Sequence, residues 1–251
     1  MKDVLCTYDV ICLGEMQKVR LMNRIDTKYI TTVPKLIRIL QQARTSYFVQ
    51  DIDGQYIMPY HTLYYDTLEM DMYMEHLRGR KRRQKIRIRS YEASDLSFLE
   101  VKNKSNKGRT KKSRIPYHLG DNKSFEDFIG SHGNYPANRL SRQIENRFSR
   151  ITLVNRNLTE RLTIDVHLRF RNLSTGETCS LEDLAVIELK RDGYTHSPIL
   201  HILKESHIHP SKFSKYCMGM ALTDEKLRSN RFKPRLRSIE KLCNLSRDIN
   251  F

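Results

Sequence analysis

What most constrains this chain is how charge is distributed along its period-two segments. In a half-buried strand successive side chains point to opposite faces, so apolar and polar residues alternate. Here the polar faces are dense in cations, and carboxylates stand among them. Arg24, Asp26 and Lys28 share one face while Ile25 and Tyr29 take the other. Lys85, Arg87 and Arg89 oppose Ile86 and Ile88, and Glu100, Lys102 and Lys104 oppose Leu99 and Val101. Arg161, Thr163 and Asp165 alternate with Leu162, Ile164 and Val166, as Glu188 and Lys190 do with Ile187 and Leu189. Two folds satisfy such strands. An open sheet would cover helices with its apolar face and leave the charged face to water. A closed antiparallel barrel, with helices packed on its apolar outside, would turn the charged faces toward a lumen. Burying so many cations together requires an anionic partner or water-filled space. The repeated Glu-x-Lys and the Arg-x-Asp-x-Lys favour the barrel, because they set carboxylates among cations as a metal–phosphate complex needs.

The remaining patterns give an α+β chain. Strands are predicted over 19–31, 46–52, 60–66, 84–92, 97–104, 109–116, 150–157, 161–170 and 184–190. Pro34 opens a helix with Leu36, Ile37 and Leu40 on one face. Met70, Tyr73, Met74 and Leu77 mark a second, with Gly79 where a C-terminal cap belongs. Phe125, Phe128 and Ile129 mark a third, and Leu140, Ile144 and Phe148 a fourth. Ser197-Pro198 opens a fifth, carrying Ile199, Ile202 and Leu203. Asn103–Gly108 reads as a hairpin loop and Asn172–Gly176 as a short polar linker. With no domain-splitting linker, residues 1–251 are expected to form one domain, its core at 18–220 and a helical extension at 221–251.

Net charge says what such a chain meets. Its 45 Lys and Arg against 29 Asp and Glu give a formal +16, an excess that repels itself and therefore usually serves an anion. A nucleic-acid binder would interleave exposed aromatics along a basic stripe; none is evident, and lumen-facing charge could not reach a duplex. Cys6, Cys12, Cys179, Cys217 and Cys243 are scattered and odd in number, which fits reduced thiols in a cytosol rather than disulfides or a zinc site. There is no 18-residue apolar run, so if the protein works at a membrane another chain must carry it there. A P-loop is absent, and Lys107-Gly108-Arg109 is only a turn signal. His76 reads as a structural or helix-end residue, and His201, His207 and His209 lack the spacing of a helical metal pair.

Arg24-Ile-Asp-Thr-Lys-Tyr, Tyr64-Tyr-Asp-Thr and His76-Leu-Arg-Gly-Arg80 through Lys85-Ile-Arg-Ile-Arg89 resemble the VTC domain of the triphosphate tunnel metalloenzymes. So do Phe98-Leu-Glu-Val-Lys102, Arg161-Leu-Thr-Ile-Asp165, Val186-Ile-Glu-Leu-Lys190 and Lys212-Phe-Ser-Lys-Tyr216, in the family's order. The resemblance implies a tunnel barrel that binds ATP and inorganic polyphosphate with manganese or magnesium, and a phosphotransferase extending polyphosphate from the ATP γ-phosphate. By motif position Lys28, Arg87, Arg89, Lys102 and Arg161 would act on the phosphates and Glu188 would be the main metal ligand, with Glu100 as a second. Arg24, Lys85, Lys104, Arg156, Lys190, Lys212, Ser214 and Lys215 would bind substrate, the last three at a helix-capped end. The Glu-x-Glu-x-Lys of the sister CYTH group is replaced by Arg24-x-Asp26-x-Lys28, which weakens a simple triphosphatase reading. Neither inositol-phosphate regulation nor membrane translocation is expected, because neither an SPX-like region nor transmembrane helices flank the motifs. A hydrolase with Glu100 positioning water, and a non-catalytic polyphosphate or nucleotide sensor, are the competing readings.

Overall fold

The structure, a computed structural model, describes residues 1–16, 19, 24–107 and 109–243. The N-terminal segment carries α1 (Lys2–Leu5), β1 (Val10–Ile11) and α2 (Leu13–Met16). Then come β2 (Arg24–Thr32), α3 (Val33–Ala43), β3 (Tyr47–Gln50), β4 (Met58–Thr67) and α4 (Asp71–Leu77). The middle of the chain forms β5 (Arg83–Tyr91), β6 (Leu96–Lys104), β7 (Thr110–Pro116), α5 (Asn122–His132) and β8 (Leu140–Asn155). The last third supplies β9 (Glu160–Asn172), β10 (Thr178–Leu181), β11 (Leu184–Asp192), α6 (Pro198–Glu205), α7 (Lys215–Thr223) and α8 (Lys233–Cys243). Among the described residues no helix is long and apolar enough to cross a membrane. Gly108 and residues 244–251 lie outside the described residues, as do residues 20–23 of the first predicted strand.

The strands run in the order β2-β11-β9-β8-β4-β5-β6-β7, with antiparallel pairing throughout this path. The sheet curls strongly, but β2 and β7 are not bonded to each other, so the expected closed barrel is instead an open half-barrel. The reason lies in the two edges. β7 carries Lys111, Lys112 and Arg114, and β2 carries Arg24 and Lys28; a seam between them would set like charges opposite one another.

Apolar rungs fill the convex face. Tyr29, Ile151, Leu162, Ile164, Ile187 and Leu189 pack against Leu36, Ile39 and Leu40 of α3 and Ile199, Ile202 and Leu203 of α6. In α3 the buried stripe is Leu36, Ile39, Leu40 and Ala43, with Ile37 only half-buried, and Thr32 caps the helix by accepting the Lys35 N–H at 3.4 Å. On the other half of the sheet Leu63, Ile86, Ile88, Leu99 and Val101 pack against Phe128 and Ile129 of α5. Full burial of each such side chain contributes about 1.5–3 kcal/mol.

Two expectations fail here, for related reasons. Residues 140–148, expected to be helical from Leu140, Ile144 and Phe148, are the first part of the 16-residue strand β8. A spacing of four is even, so it keeps residues on one face of a strand as well as on one face of a helix. Ile144 and Phe148 meet a helix that lies inside the curl, whereas Leu140, beyond a register shift at Gln143, packs on the other face with the cluster of α5. α7 is buried from Tyr216 through Thr223 and packs with Tyr64, Ile144, Phe148, Phe170 and Val186 on the concave side. A bulge makes room for it. His167 adopts φ 53 where the β8–β9 register shifts, and this slips the parity of β9 by one. Asp165 and Leu168 therefore face the same way, and the concave surface passes from charged to apolar at that point.

The fit of α7 is tight at Gly219, where an added Cβ would lie 2.5 Å from Phe170 and 2.7 Å from Ile144. Gly219→Ala is expected to destabilise the fold by about 2 kcal/mol, overpacking outweighing the gain in helix propensity. Urea denaturation checks this; an unchanged or raised midpoint would mean that the two side chains swing aside.

Candidate active site

The charged half of the concave face is built from cross-strand rungs. Thr152, Thr163, Glu188 and Lys28 lie side by side on β8, β9, β11 and β2. The next rung outward holds Arg161, Lys190 and Asp26, and the next inward pairs Arg150 with Asp165. On the other half Tyr64, Arg87, Glu100 and Arg114 form one rung across β4, β5, β6 and β7, beside rungs of Lys85, Lys102 and Lys112 and of Thr62, Arg89 and Phe98. Arg89, Glu100 and Asp165 are buried and Lys28, Arg87, Arg150, Glu188 and Lys190 half-buried within the curl, whereas Lys102, Lys112 and Arg114, toward the free edge at β7, are exposed.

Each of three carboxylates is held by two cations. Glu188 pairs with Lys28 and, at 2.7 Å, with Lys190, which also donates to Thr163 Oγ1 at 3.2 Å. Glu100, 1% exposed, takes Arg87 at 2.6 Å and Lys112. Asp165 accepts two parallel bonds from Arg150, at 2.6 and 2.9 Å, and pairs with Lys215. Burial works against ionisation of all three, and the cations overcome it. Lys190 and Lys28 hold Glu188 well below the carboxylate range, Arg87, Arg89 and Lys112 hold Glu100 down to about 2, and Arg150 and Lys215 hold Asp165 lower than is usual.

The cations feel the same crowding. Burial, aided by Arg87, Arg83 and Lys28, brings Lys85 down to about 8, and burial does the same to Lys215 despite Asp165. Burial with Arg87 and Arg150 lowers Arg89 to about 10. Aromatic faces carry part of the load: Lys215 sits 4.2 Å from the Phe148 ring centroid, and Arg150 5.1 Å from that of Tyr60.

One end of the groove is closed by α7. Ser214 caps it by accepting the Cys217 N–H at 3.3 Å and also accepts from Lys85 at 2.8 Å. The helix is tied in place by Asp66, which accepts the Tyr216 hydroxyl at 2.5 Å and the backbone N–H groups of Thr67, Met72 and Tyr73. That is the physical content of the Tyr64-Tyr-Asp-Thr motif: its carboxylate joins α4 to α7. His76 lies in the same wall, its Nδ1 3.0 Å from Cys217 Sγ.

Most of the expected residues come together: Lys28, Lys85, Arg87, Arg89, Lys102, Arg161, Glu188, Lys190, Ser214 and Lys215 on the groove walls, with Lys104 and Lys212 at its mouth. Arg24 pairs at 2.7 Å with Asp26, which lines the same mouth, and together with burial, the larger cause, it lowers Arg161. Arg156 is not brought in. It pairs with Asp9, donates to the Thr45 carbonyl at 2.9 Å and covers Phe48, away from the rungs, because β8 has ended at Asn155. Both Glu100 and Glu188 sit between two cations, but the Glu100 side chain is 1% exposed and that of Glu188 18%, so Glu188 is the one an entering ion could reach. Sequence reading missed Arg150, Lys112 and the structural part played by Asp165. Arg150 opens the strand predicted over 150–157 and shares a face with Thr152, but it stands in none of the motifs from which the site residues were taken.

The donors fit a divalent ion only in one way. Among the described residues no group of three His, Cys, Asp or Glu converges, so the chain builds no cage of its own. A single partly open carboxylate, Glu188, beside anion-binding cations suits a hard ion that arrives on phosphate oxygens.

The profile of the VTC domain matches residues 23–224. No curated protein matches. Solved structures that resemble the chain include a Bacillus halodurans protein with a provisional adenylate cyclase assignment, at 15% identity and TM-score 0.48 over 77% of this chain and 96% of that one. A Hippeastrum protein, an adenylyl cyclase candidate described as having a dominant triphosphatase activity, is 14% identical with TM-score 0.46 over 80% and 97%. The PH1819 protein of Pyrococcus horikoshii is 13% identical with TM-score 0.43 over 79% and 98%.

Two outcomes follow from the ion clusters. Asp165→Asn strands two buried cations and is expected to cost about 3 kcal/mol, read as a lowered urea midpoint. Lys85 and Lys215 titrate near pH 8 when folded and higher when unfolded, so between pH 8 and 10 the unfolded chain binds more protons. Stability should therefore rise with pH across that window while affinity for tripolyphosphate falls. Both trends can be measured in one buffer series, and flat affinity from pH 7 to 10 would exclude these lysines from the anion site.

Proposed function

The chain belongs to the VTC domain family, and from that premise we propose that it is a phosphotransferase that extends inorganic polyphosphate with the γ-phosphate of ATP. The observation that carries this reading is the groove floor on which three carboxylates, Glu188, Glu100 and Asp165, are each held by two cations. Lys28, Arg87, Arg89, Lys102 and Arg161 neutralise the non-bridging oxygens of the bound triphosphate. Arg87, Arg89 and Arg150 bring planar forks suited to two oxygens at once, and the lysines bring point charges. Ser214 and Lys215, at the start of α7, hold the phosphate nearest the closed end.

A phosphate oxygen competes with Glu188 for Lys28 and Lys190, so arrival of the anion frees the carboxylate. When bound at Glu188, manganese or magnesium supplies Lewis-acid charge to the phosphate oxygens. The terminal oxygen of a polyphosphate chain attacks the γ-phosphorus in line, the bond to the β–γ bridging oxygen breaks, and ADP leaves. The attacking oxygen is already ionised, so no general base is needed; the surrounding cations position both partners and share the charge of attacking and leaving oxygens. Hydrolysis would require a group that positions water. Glu100, the candidate for that task, is occupied by Arg87 and Lys112, which favours phosphate as the acceptor.

Purified protein incubated with ATP and manganese is expected to yield chains that ladder on a size-resolving gel. Lys28→Ala and Glu188→Gln should each lower the rate about a hundredfold, the usual loss for one group of a charge-stabilising set. Free phosphate without chains would make the protein a hydrolase, and tight binding without turnover would make it a sensor.

A further inference from the structure

Beside the N-terminus of α7 the groove opens into a cavity of about 830 Å³. Lys28, Lys85 and Ser214 form its inner wall; Arg80 and Lys81 line it from the loop after α4, Arg231 from the segment before α8 and Arg235 from the first turn of α8. The charge balance differs from that of the groove. The cavity lining has nine lysines and arginines against one carboxylate, Asp26, and Arg24 already engages that one. Arg83, Lys104 and Lys212 pair with no carboxylate among the described residues. The field is strong enough to be felt by His76 in the wall: burial first, then Lys85, Arg83, Arg235 and Lys104, bring its imidazole down to about 2.

This surplus is held in place by the fold. Gly79, at φ 74, ends α4 and turns the chain into Arg80-Lys81-Arg82-Arg83. The Arg231 guanidinium donates to the Arg78 carbonyl, tying that loop to the C-terminal segment. α8 is anchored beneath by buried Leu236 and Ile239. Arg231 and Arg235 lie beyond residue 224, outside the residues that the family profile matches.

We propose that the rim is a second phosphate-binding surface, a track on which a polyphosphate chain too long for the groove continues across Arg80, Lys81 and Arg235. The inference rests on the reading of the groove as a polyphosphate site, and its ligand is the same polyanion. Nucleic acid fits less well. The rings at the mouth, Phe213 and Phe232, are 7% and 2% exposed, so no base could stack on them.

The test compares tripolyphosphate with long-chain polyphosphate, binding to the full chain being measured by calorimetry in EDTA at fixed ionic strength. An Arg80→Gln/Lys81→Gln/Arg235→Gln variant is expected to lose about tenfold in affinity for the long chain, with a shallower salt dependence, because fewer counterions are released. Its affinity for tripolyphosphate should stay within about twofold, which also reports that the groove is folded. Should that control fail, the Arg80→Gln/Lys81→Gln loop variant, in which α8 is intact, takes its place with the same expectation. Equal loss for both ligands, or no loss for the long chain, overturns the track. A wild-type protein that binds tripolyphosphate without length dependence sinks the track alone, whereas failure to bind either ligand sinks the reading of the groove. If a single-stranded oligonucleotide loses affinity in the variant while long-chain polyphosphate does not, the rim serves nucleic acid and the proposal falls.

Discussion

The structure depends on one electrostatic arrangement: a carboxylate held between two cations, repeated at Glu188, Glu100 and Asp165. Without the carboxylates the inward-facing lysines and arginines would repel one another across a curled sheet. With as many carboxylates as cations the groove would be neutral and have nothing to offer an anion. The two-to-one ratio keeps the fold tolerable and leaves positive charge for a ligand. It also fixes side-chain positions before any ligand arrives, since Arg150 is locked on Asp165 by two bonds and Arg87 on Glu100. Preorganised charge of this kind needs little rearrangement when phosphate enters.

Closure of the barrel turns out to be unnecessary for this. The edges β2 and β7 remain apart, yet the rungs point into a common space because curvature, not hydrogen bonding around a full circle, aims them. α7 does what closure would have done at one end. It brings an apolar surface, a capped N-terminus and Lys215 into the concavity, and the Asp66–Tyr216 bond holds it against α4.

Much of this could be read from the residues, since a two-residue period with one charged face survives any uncertainty about loops. Arg24-x-Asp26-x-Lys28, Lys85-x-Arg87-x-Arg89 and Glu188-x-Lys190 each gave a strand, its inward face and the chemistry of that face in one reading. The failures share a cause. Parity arguments assume an unbroken ladder, and β9 breaks its own at His167. Leu140, Ile144 and Phe148 have a spacing that suits a helix stripe or a strand face, and in β8 a register shift at Gln143 divides even that face. Nothing local announces that α7 lies inside the curl. Its sequence, Lys215-Tyr-Cys-Met-Gly-Met-Ala-Leu-Thr, is apolar all round, which reports complete burial without saying where. Arg156 shows the converse error, in which a plausible residue type stands just past the end of its strand.

The bulge at His167 marks where the charged floor stops and the bed of α7 begins. Moving that single irregularity by two residues along β9 would add or delete one full rung, about 7 Å of floor, without changing any ionic pair on the other strands. The depth of the cleft is thus governed by backbone register rather than by side-chain identity. Related chains could tune how much of an anion they enclose by shifting one inserted residue while every motif stays recognisable.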